Sequence, residues 1–488
     1  MRIGIDFGTS YSAAAAMVNG ELTLIQFGDA YQFRTAVFFP EVVPNPDDFR
    51  LTPALEAQVD TLLLSMRREH PQVSEAQRCR DAIRVVRRQW MEEQTRVAAA
   101  SIASFQDALF GEDAVEAYLV EGTGHLIESP KSMLGYRLDP PVRRIIVSIA
   151  AHILEHIRLT ATRQLGVPVR GAVIGRPVEF RSSMGPAGGE QALELLREAA
   201  TIAGFDEVSF LEEPAAAAMH YHMSLPERQL ALIVDIGGGT TDVAYAELGG
   251  GLEPVIHHSW GLPKGGTDLD IGVSLHSFMP HLGKDVSPVP VHHFVEAASV
   301  HILPKQREFR RQNYRLVDEP FGSRLRSLQQ LGATTRLNRL AERIKIELGA
   351  QARAGVDLAF IEKGLTIEVG QPDLLLAAED FLQRLRRLLA QARDGMVEMP
   401  RSIFLTGGSS RSPLLQESVR ASFPGVAVVA GDPSLGVVSG LAAASSRTAR
   451  GCTGLCLSRK DQSAALARPL ASVRGGISTA GNECPREE

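Results

Sequence analysis

The sequence has 488 residues, of which 44% are hydrophobic and 22% charged, so it is long enough for about three domain-sized units with buried cores. Its 51 lysines and arginines against 57 aspartates and glutamates give a net charge of −6, which excludes the overall basic field typical of a nucleic-acid-binding protein. Neither a signal peptide nor an apolar run of membrane-spanning length is evident, and we therefore expect a cytoplasmic protein with no nucleic-acid or membrane partner.

The first predicted element is a short apolar strand that ends on a carboxylate. Residues 2–5 are followed by Asp6 and the turn sequence FGTS, after which a second apolar segment begins. Glycine lets the backbone turn sharply and come close to a ligand, and the N–H groups of such a turn can surround an anion. The pattern therefore predicts a phosphate site between two strands.

Charged segments replace apolar ones from about residue 42 to residue 120. The spacing of Ile83, Val86 and Trp90 indicates a helix, and we interpret the region as a helical insertion on the first lobe. Its basic residues form either a solvated helix face or a surface that docks a protein partner. These residues are Arg78, Arg80, Arg84, Arg87 and Arg88.

Helices and strands then alternate. An amphipathic pattern predicts a helix over residues 145–166 that ends at Gly166, since glycine favours the backbone conformation that closes a helix. A strand is predicted over 171–175 and a helix over 191–204, and Pro214 is suited to the first position of the next helix. This alternation indicates an α/β fold.

The stretch LIVDIGGGTTDV, residues 232–243, repeats the N-terminal pattern. An apolar strand ends on Asp235, and three glycines and two threonines follow before Asp242. Asp235 would repel a bare phosphate, but it can share one with Mg²⁺, which binds carboxylates, waters and phosphate oxygens. An ordinary glycine-rich hairpin is the alternative. Two copies of the pattern predict two related half-domains that face each other across a phosphate.

The segments beyond this stretch have weaker patterns. We expect a glycine-rich turn over residues 261–270 with Asp268 and Asp270, and a loop-rich insertion over residues 280–320. A helical pattern over 334–348 places Glu342 and Lys345 on one face.

The C-terminal quarter begins with a strand over residues 403–406 that opens into the loop GGSSR. A helix is predicted over 413–421 and a small-residue helix over 436–444, and from about residue 445 the lack of periodicity predicts a disordered tail. The four cysteines do not form a disulfide framework. Three of them fall in the tail, as free thiols or as part of a zinc site: Cys452, Cys456 and Cys484.

Five separated segments match one protein family in order: IGIDFGTSYS, FLEEPAAAAMHY, LIVDIGGGTTDV, GGTDLDI and IFLTGGSSRSP. Together they resemble the nucleotide-binding domain of the DnaK-like heat-shock chaperones, within the actin-like ATPase superfamily. The chain looks most similar to the short YegD-like homologues. The resemblance covers most of residues 1–444 and implies an α/β, actin-like ATPase fold: two lobes, each with a mixed sheet flanked by helices, plus helical and loop insertions, closing on ATP and Mg²⁺.

The resemblance also implies domain boundaries. Lobe I of the nucleotide-binding domain would comprise residues 1–228, with the helical insertion at about 42–130 and a closing helix at 434–444. Lobe II would comprise residues 229–425, with an insertion at about 255–370, and the disordered tail would follow at 445–488.

The same match implies the site residues. Asp6, Glu213 and Asp235 would hold Mg²⁺ through its waters, and the resemblance assigns catalysis to these three together with Lys131 and Thr240. Lys131 would otherwise be a surface residue. The residues implied to bind the nucleotide are Gly8, Thr9, Ser10, Gly237, Gly238, Gly239, Thr240, Gly266, Glu342, Lys345, Gly407, Gly408, Ser409 and Arg411.

Three details of this match stay open. Glu342 and Lys345 would contact the ribose, although a Glu and a Lys on one helix face are usually a solvated ion pair. Asp242 either holds its glycine loop or contacts the solvent around the metal. The contact beside the base falls to Asp432 or to Ser434.

Departures from the family pattern bear on function. Ile346 and Gly349 stand where the chaperones place an arginine and a serine against the base, which predicts weaker contact with the base. The chain is also expected to lack a peptide-binding domain. We therefore expect a slowly ATP-hydrolysing, chaperone-like, monomeric conformational switch that uses ATP/ADP and Mg²⁺. The alternative is a non-hydrolysing ATP-binding scaffold that docks a protein partner through residues 42–120.

Overall fold

The computed structural model describes residues 1–39, 49–69, 72–104, 108–122, 124–431 and 435–448. The strands in chain order are β1 (Arg2–Phe7), β2 (Tyr11–Val18), β3 (Glu21–Leu24), β4 (Gln32–Arg34), β5 (Ala36–Phe39), β6 (Leu109–Phe110), β7 (His125–Glu128), β8 (Gly171–Arg176), β9 (Glu207–Glu212), β10 (Gln229–Ile236), β11 (Thr241–Leu248), β12 (Val255–Leu262), β13 (Arg353–Asp357), β14 (Thr366–Gly370), β15 (Ser402–Thr406) and β16 (Ala427–Ala430). The α-helices are α1 (Pro53–Glu69), α2 (Glu75–Ser104), α3 (Gly111–Glu121), α4 (Pro140–Leu165), α5 (Pro186–Ile202), α6 (Glu213–Ser224), α7 (Gly266–Val273), α8 (Val291–Ala298), α9 (Leu303–Arg311), α10 (Phe321–Leu328), α11 (Ala333–Glu347), α12 (Gln371–Asp394), α13 (Pro413–Ser422) and α14 (Gly436–Thr448).

Two mixed sheets have the same strand order. In the first, the order is β3-β2-β1-β8-β9, with β4 also paired to β2; in the second, it is β12-β11-β10-β15-β16. The central strand of each sheet, β1 or β10, is antiparallel to the strand that follows it and parallel to β8 or β15. The repeated strand–turn–strand motif is therefore part of a repeated sheet topology, as two related half-domains require.

Alternation along the central strands explains how each sheet is covered on both faces. Ile3, Ile5 and Phe7 of β1 are fully buried in one core, whereas a Cβ on Gly4 would collide with the backbone of α14 on the other face. In β10, Leu232 and Val234 belong to one core and Ile233 to another. Strands buried on both faces read as continuous apolar runs, which is the pattern that the sequence shows.

Helix α4 covers the first sheet and begins five residues before the predicted start. Gly166 follows its last residue with φ 67°, the left-handed conformation expected of a closing glycine. Among the described residues α4 is the one helix long and apolar enough to cross a membrane by length and composition, which corrects the expectation that no such run exists; 56% of its apolar window is buried inside the fold. Ile146, Ile149 and Ile153 are fully buried, so this helix is apolar because it fills a core.

Helices α6 and α14 lie between the two sheets. Alanines of α6 share one core with Val173 of β8 in the first sheet and with Ala231 and Ile233 of β10 in the second, and Leu441 of α14 joins them. We call the unit built on the first sheet lobe I and the unit built on the second sheet lobe II. Since one core contains residues from both, the lobes are joined by packing at their base as well as by the chain.

Each lobe carries an insertion. In lobe I, α1 and α2 pack as a helical pair around Val59, Ala82 and Val86, and α3 covers a small sheet of order β6-β5-β7. In lobe II, helices α8 to α11 and the hairpin β13-β14 form a separate core.

The arginines of α2 mostly bind their neighbours on the helix. Arg78 pairs with Glu75 at 2.9 Å, and Arg84 pairs with Asp81 at 3.1 Å. This arrangement favours the solvated-face interpretation over partner docking, because such pairs are typical of an exposed helix.

One local prediction was incomplete and another was wrong. Residues 280–320 consist of loops around two short helices, α8 and α9, which the sequence pattern did not predict. Each is only eight or nine residues long, so neither contains enough turns for a clear periodic pattern. Asp268 and Asp270 lie in α7 and not in a glycine-rich turn, because Gly265 and Gly266 begin a helix there.

The last described helix is longer than predicted. Helix α14 continues to Thr448, past the expected start of the tail at residue 445. The predicted disorder from residue 449 onward, the tail cysteines, Asp432 and Ser434 lie outside the described residues.

Candidate functional site

A cavity of about 580 Å³ lies between the two lobes. Every residue that the sequence analysis assigned to the site lines it. From lobe I these are Asp6, Gly8, Thr9, Ser10, Lys131 and Glu213; from lobe II they are Asp235, Gly237, Gly238, Gly239, Thr240, Gly266, Glu342, Lys345, Gly407, Gly408, Ser409 and Arg411. The structure thus brings together residues more than 400 positions apart, and their individual roles stay predictions.

The two glycine-containing turns meet across the cavity. One follows β1 and the other follows β10, and they come so close that a Cβ on Gly238 would overlap the Ser10 hydroxyl, and one on Gly239 would overlap the hydroxyl of Thr9. Any other residue at these two positions would force the facing side chain of Ser10 or Thr9 to move. The turns therefore form two sides of one small space.

Hydrogen bonds fix the carbonyl groups of the lobe II turn. The Gly237 oxygen accepts from Gly266 N at 2.9 Å, and the Gly238 oxygen accepts from Thr267 N at 2.8 Å and from Thr267 Oγ1 at 2.9 Å. Because the C=O and N–H of one peptide unit point in opposite directions, the N–H groups that follow these carbonyls point the other way. Those of Gly238 and Gly239 have no recorded protein acceptor in the described chain, so they are available to an anion in the cavity.

A group of carboxylates surrounds one lysine at the bottom of the cavity. Lys131 is 7% exposed and its Nζ lies 2.5 Å from Glu213 Oε1, so it is not the surface residue that the alternative interpretation described. Burial by itself would lower the pKa of Lys131, but Glu213 and Asp6 outweigh burial and raise it. The ammonium group therefore stays charged and partly neutralises the carboxylates.

The ionised form of the carboxyl groups beside Lys131 is unfavourable in the folded protein. Burial and the charge of Glu213 raise the pKa of Asp6 to about 7, although Lys131 opposes the shift. Burial, Glu213, Asp242 and Asp6 raise the pKa of Asp235 well above its usual value. A single lysine does not compensate four carboxylates in this environment, and a buried charge that lacks a partner is costly.

A divalent cation fits this excess of negative charge. In the part of the chain that the structure describes, no three His, Cys, Asp or Glu side chains are grouped closely enough to bind a metal ion directly. Contact through water, as predicted for Asp6, Glu213 and Asp235, does not require such a group, and Mg²⁺ commonly keeps several of its waters. The carboxylates present thus suit a hydrated Mg²⁺.

Asp242 has a structural contact. Its Oδ1 accepts a hydrogen bond from Val178 N of lobe I at 2.7 Å, and the side chain is 1% exposed. Burial and the nearby Glu213 raise its pKa to about 8. The sequence left open whether Asp242 holds its glycine loop or contacts the solvent around the metal. The contacts favour a structural role, and the bond from Val178 adds a link to lobe I that the sequence did not predict.

The other end of the cavity is lined by α11 and by the loop after β15. Glu342 is bound by Arg34 of lobe I, whose Nη2 lies 2.8 Å from Glu342 Oε2, and Lys345 pairs with Asp270 at 2.7 Å. These two side chains therefore do not form an ion pair with each other, contrary to the alternative interpretation. Ile346, 66% exposed, and Gly349 line the same region.

Several residues of the site were missed by sequence reasoning. Arg34 also binds Glu112 at 2.9 Å and lies over the Tyr11 ring at 5.2 Å, and Arg181 bridges from lobe I to the lobe II turn. Asp270 forms an ion pair with Lys345, and the Thr267 hydroxyl donates a hydrogen bond to the Gly238 oxygen. Asp270 was noted as part of a turn, and for the two arginines nothing in the local sequence gives a signal, since their partners are far away along the chain.

Comparison with known proteins gives matches over the same region. Residues 145–285 match the model of the Hsp70 protein family. Chaperone protein DnaK 1 of Synechococcus sp. is 30% identical over 282 residues, which is 56% of this chain and 32% of that relative. Chaperone protein DnaK of Anaplasma marginale is 27% identical over 293 residues, 57% of this chain and 38% of the relative. Chaperone protein dnaK1 of Synechocystis sp. is 26% identical over 438 residues, 86% of this chain and 50% of the relative.

The chain thus spans about a third to a half of the length of these relatives. The longest alignment covers most of the described lobes, so both lobes take part in the similarity. The closer likeness to YegD-like homologues and the domain boundaries stay predictions.

Proposed function

We propose, from the premise that this chain contains a nucleotide-binding domain of the DnaK-like Hsp70 family with the actin-like ATPase fold, that it is a chaperone-like protein that binds ATP and hydrolyses it slowly. In this proposal the nucleotide acts as a conformational switch, and the protein works in the cytoplasm as a monomer. The relatives are chaperones by name, and the remaining argument rests on the cavity.

One observation carries the proposal: two turns from sheets of identical strand order meet at one cavity. The Ser10 and Thr9 side chains lie against Gly238 and Gly239, and the backbone N–H groups at the tip of the lobe II turn have no recorded protein acceptor. A polyphosphate supplies many acceptor oxygens in a small volume, which suits these N–H donors and the hydroxyl groups that face them. A single glycine-rich hairpin would not explain the second turn.

The side chains at the bottom of the cavity have distinct roles in this proposal. Lys131 places a positive charge beside the terminal phosphate, where negative charge develops during transfer to water. Thr240 lines the cavity on the lobe II turn, and its hydroxyl would orient the attacking water. When bound, Mg²⁺ would neutralise phosphate charge, and Asp6, Glu213 and Asp235 would hold it through water.

In this proposal the conformational switch is a change in the arrangement of the two lobes. A nucleotide that touches both turns stabilises the arrangement in which the turns face each other, because only that arrangement offers both sets of contacts. Loss of the terminal phosphate removes part of these contacts and shifts the lobes toward a more open arrangement.

Measurement of ADP production by the purified protein with ATP and Mg²⁺ tests this function. We expect slow turnover that falls about 100-fold in Lys131→Ala and at least about 10-fold in Thr240→Ala, the range typical when one electrostatic or water-positioning group is removed. Arg170→Ala is the control, since Arg170 is an exposed partner of Asp206 on lobe I. Unchanged turnover in Lys131→Ala would show that the assigned site is wrong.

The same experiment distinguishes slow hydrolysis from the second candidate function, that of a scaffold that binds ATP without hydrolysing it. The observation that favours it is the side of the cavity formed by Ile346 and Gly349, which offers a bound base no charged side chain. In that case calorimetry would show ATP binding while no ADP appears over hours. Absence of binding would contradict both candidates.

A further inference from the structure

Arg181 follows strand β8 in lobe I, yet every recorded contact of its guanidinium group is with lobe II. Its Nε donates to the Gly239 oxygen at 2.7 Å, and its Nη2 donates to Thr267 Oγ1 at 3.1 Å and also to Asp268. Its Nη1 lies 3.3 Å from His301 Nε2. The side chain is 10% exposed, so these contacts are shielded from water.

The contacts of Arg181 leave it unsuited to bind a phosphate itself. The residue lines the cavity, but each of its three nitrogen atoms already has a protein partner. Its effect on a bound nucleotide must therefore pass through the groups that it holds. The nearest of these to the cavity is the carbonyl of Gly239.

Holding the Gly239 carbonyl fixes the next N–H group. The peptide unit between Gly239 and Thr240 is planar, so an oxygen that points at Arg181 directs the Thr240 N–H away from it. The two preceding carbonyls, those of Gly237 and Gly238, are fixed by Gly266 and Thr267, which belong to lobe II. Arg181 provides the third support, and this one comes from the opposite lobe.

We propose that Arg181 is a positioning residue that aligns the phosphate-binding N–H groups of lobe II only while the lobes are closed. The inference rests on the proposed function, because it concerns the same nucleotide site. It adds that the geometry of one phosphate turn depends on the position of the other lobe. Closure would thus improve the site for a phosphate chain, and not merely enclose it.

The charges around Arg181 indicate that the residue can be replaced without loss of the fold. Asp268 has a second partner in Lys264, whose Nζ lies 3.0 Å from Asp268 Oδ1, and it also accepts from Gly265 N at 2.9 Å. Removing Arg181 therefore does not leave the Asp268 carboxylate without a partner. Thr267 keeps its bonds to Gly238, so two of the three carbonyl supports remain.

The test compares binding of ATP with binding of adenosine, which has no phosphate. In Arg181→Gln we expect the Kd for ATP to rise about 10- to 100-fold, the effect of losing one charge-assisted hydrogen-bond anchor, while the Kd for adenosine stays within about twofold. The turnover rate should fall by a similar factor. Thr267→Val removes a hydroxyl that contacts both Arg181 and Gly238, and it should reproduce this selective loss.

Arg170→Gln is the matched control, and thermal unfolding without nucleotide shows whether each variant is folded. ATP affinity and turnover within about twofold of the unmodified protein in both Arg181→Gln and Thr267→Val would overturn the proposal. Equal weakening of ATP and adenosine would also overturn it, because that pattern indicates general loss of closure or structure. Failure of the unmodified protein to bind ATP would instead contradict the proposed function.

Discussion

At the residue scale, the site contains groups that destabilise the protein when no ligand is bound, together with groups that suit a charged ligand. The clearest case is Asp235, a carboxyl that is 5% exposed and close enough to Glu213, Asp242 and Asp6 for their charges to raise its pKa. Perturbed pKa values of this kind are typical of functional sites, where groups that bind a ligand often lower the stability of the ligand-free protein.

Replacing Asp235 by Asn should stabilise the nucleotide-free protein. Since its pKa in the folded state is raised, ionisation costs folding free energy as the pH rises from the unfolded value of about 3.9 toward the folded pKa, and the neutral amide avoids this cost. We expect the free energy of unfolding at pH 8 to rise by about 1–3 kcal/mol, and calorimetry to show loss of Mg²⁺-dependent ATP binding. Asp206→Asn, at an exposed position, is the control, and a decrease in stability would contradict the account.

His156 makes the stability of lobe I depend on pH. Its ring stacks on Phe110 at 4.4 Å and lies 5.4 Å from Phe33, and burial, followed by the charge of Arg163, lowers its pKa to about 4. Between pH 6.5 and pH 4 the unfolded chain binds a proton that the folded protein does not. Stability contributed by this residue therefore rises with pH across that window.

His156→Phe should reduce this dependence. We expect the loss of unfolding free energy between pH 7.5 and pH 5 to be smaller by about 1–2 kcal/mol than in the unmodified protein, as measured by urea unfolding. His152 and His301 also have lowered pKa values, so part of the slope should remain. An equal change in His258→Phe, at an exposed position, would show that the effect does not depend on burial.

At the scale of elements, helix α11 contributes to the site and is also bonded to the opposite lobe. Arg34 of β4 binds Glu342 of α11, and Arg339 of α11 binds Glu112 of α3 at 2.9 Å. Arg336 donates to the Leu119 oxygen at 2.9 Å. The helix that carries two predicted ribose contacts is therefore attached to the insertion of the opposite lobe.

Replacing Arg34 by Met should speed nucleotide release. The substitution leaves Glu342, Glu112 and Glu128 near one another without their common cation, which opposes closure at this edge. The dissociation rate of a fluorescent ADP analogue, measured by stopped flow, should rise about 10-fold or more, since a charge-assisted pair contributes about 1.5–3 kcal/mol. Arg353→Met, which removes an exposed ion pair with Glu368, should not change the rate, and an unchanged rate in Arg34→Met would disprove the role of this contact.

Elements with a strong local pattern were the ones that could be predicted. The turns at Asp6 and Asp235 and the helix that ends at Gly166 depend on neighbouring residues, and the structure contains them. Helices α8 and α9 were missed because eight or nine residues give too few turns for a period to emerge. Arg34 and Arg181 were missed because their partners lie 308 and 87 residues away, a distance at which one sequence provides no pairing signal.

At the scale of the whole molecule, the two lobes depend on a tightly packed centre. Helices α6 and α14 cross between the sheets, and small side chains let them approach closely. A Cβ on Gly440 of α14 would overlap the carbonyl oxygen of Ala216 in α6. Among the residues that the structure describes, no other core cluster contains residues of both sheets, so the proposed movement of the lobes would pivot about this shared core.

Gly440→Ala should therefore destabilise the entire domain. Adding a methyl group where backbone atoms are in contact forces the two helices apart, and we expect the free energy of unfolding to fall by about 1–3 kcal/mol in urea titration. Gly355→Ala is the control, since no atom lies within 4 Å of the added Cβ at that position. Equal stability of the two variants would indicate that the helices can separate without cost.

The position of α14 has a consequence for biosynthesis. This helix packs against β1 and β2, from which it is separated by more than 400 residues of sequence. At a translation rate of about 5–20 residues per second, strands β1 and β2 are synthesised roughly 20 to 80 seconds before the helix that covers them. During that time one face of a nascent apolar sheet is without its permanent partner, so the ribosome-bound chain itself has a need for protection that the finished protein no longer has.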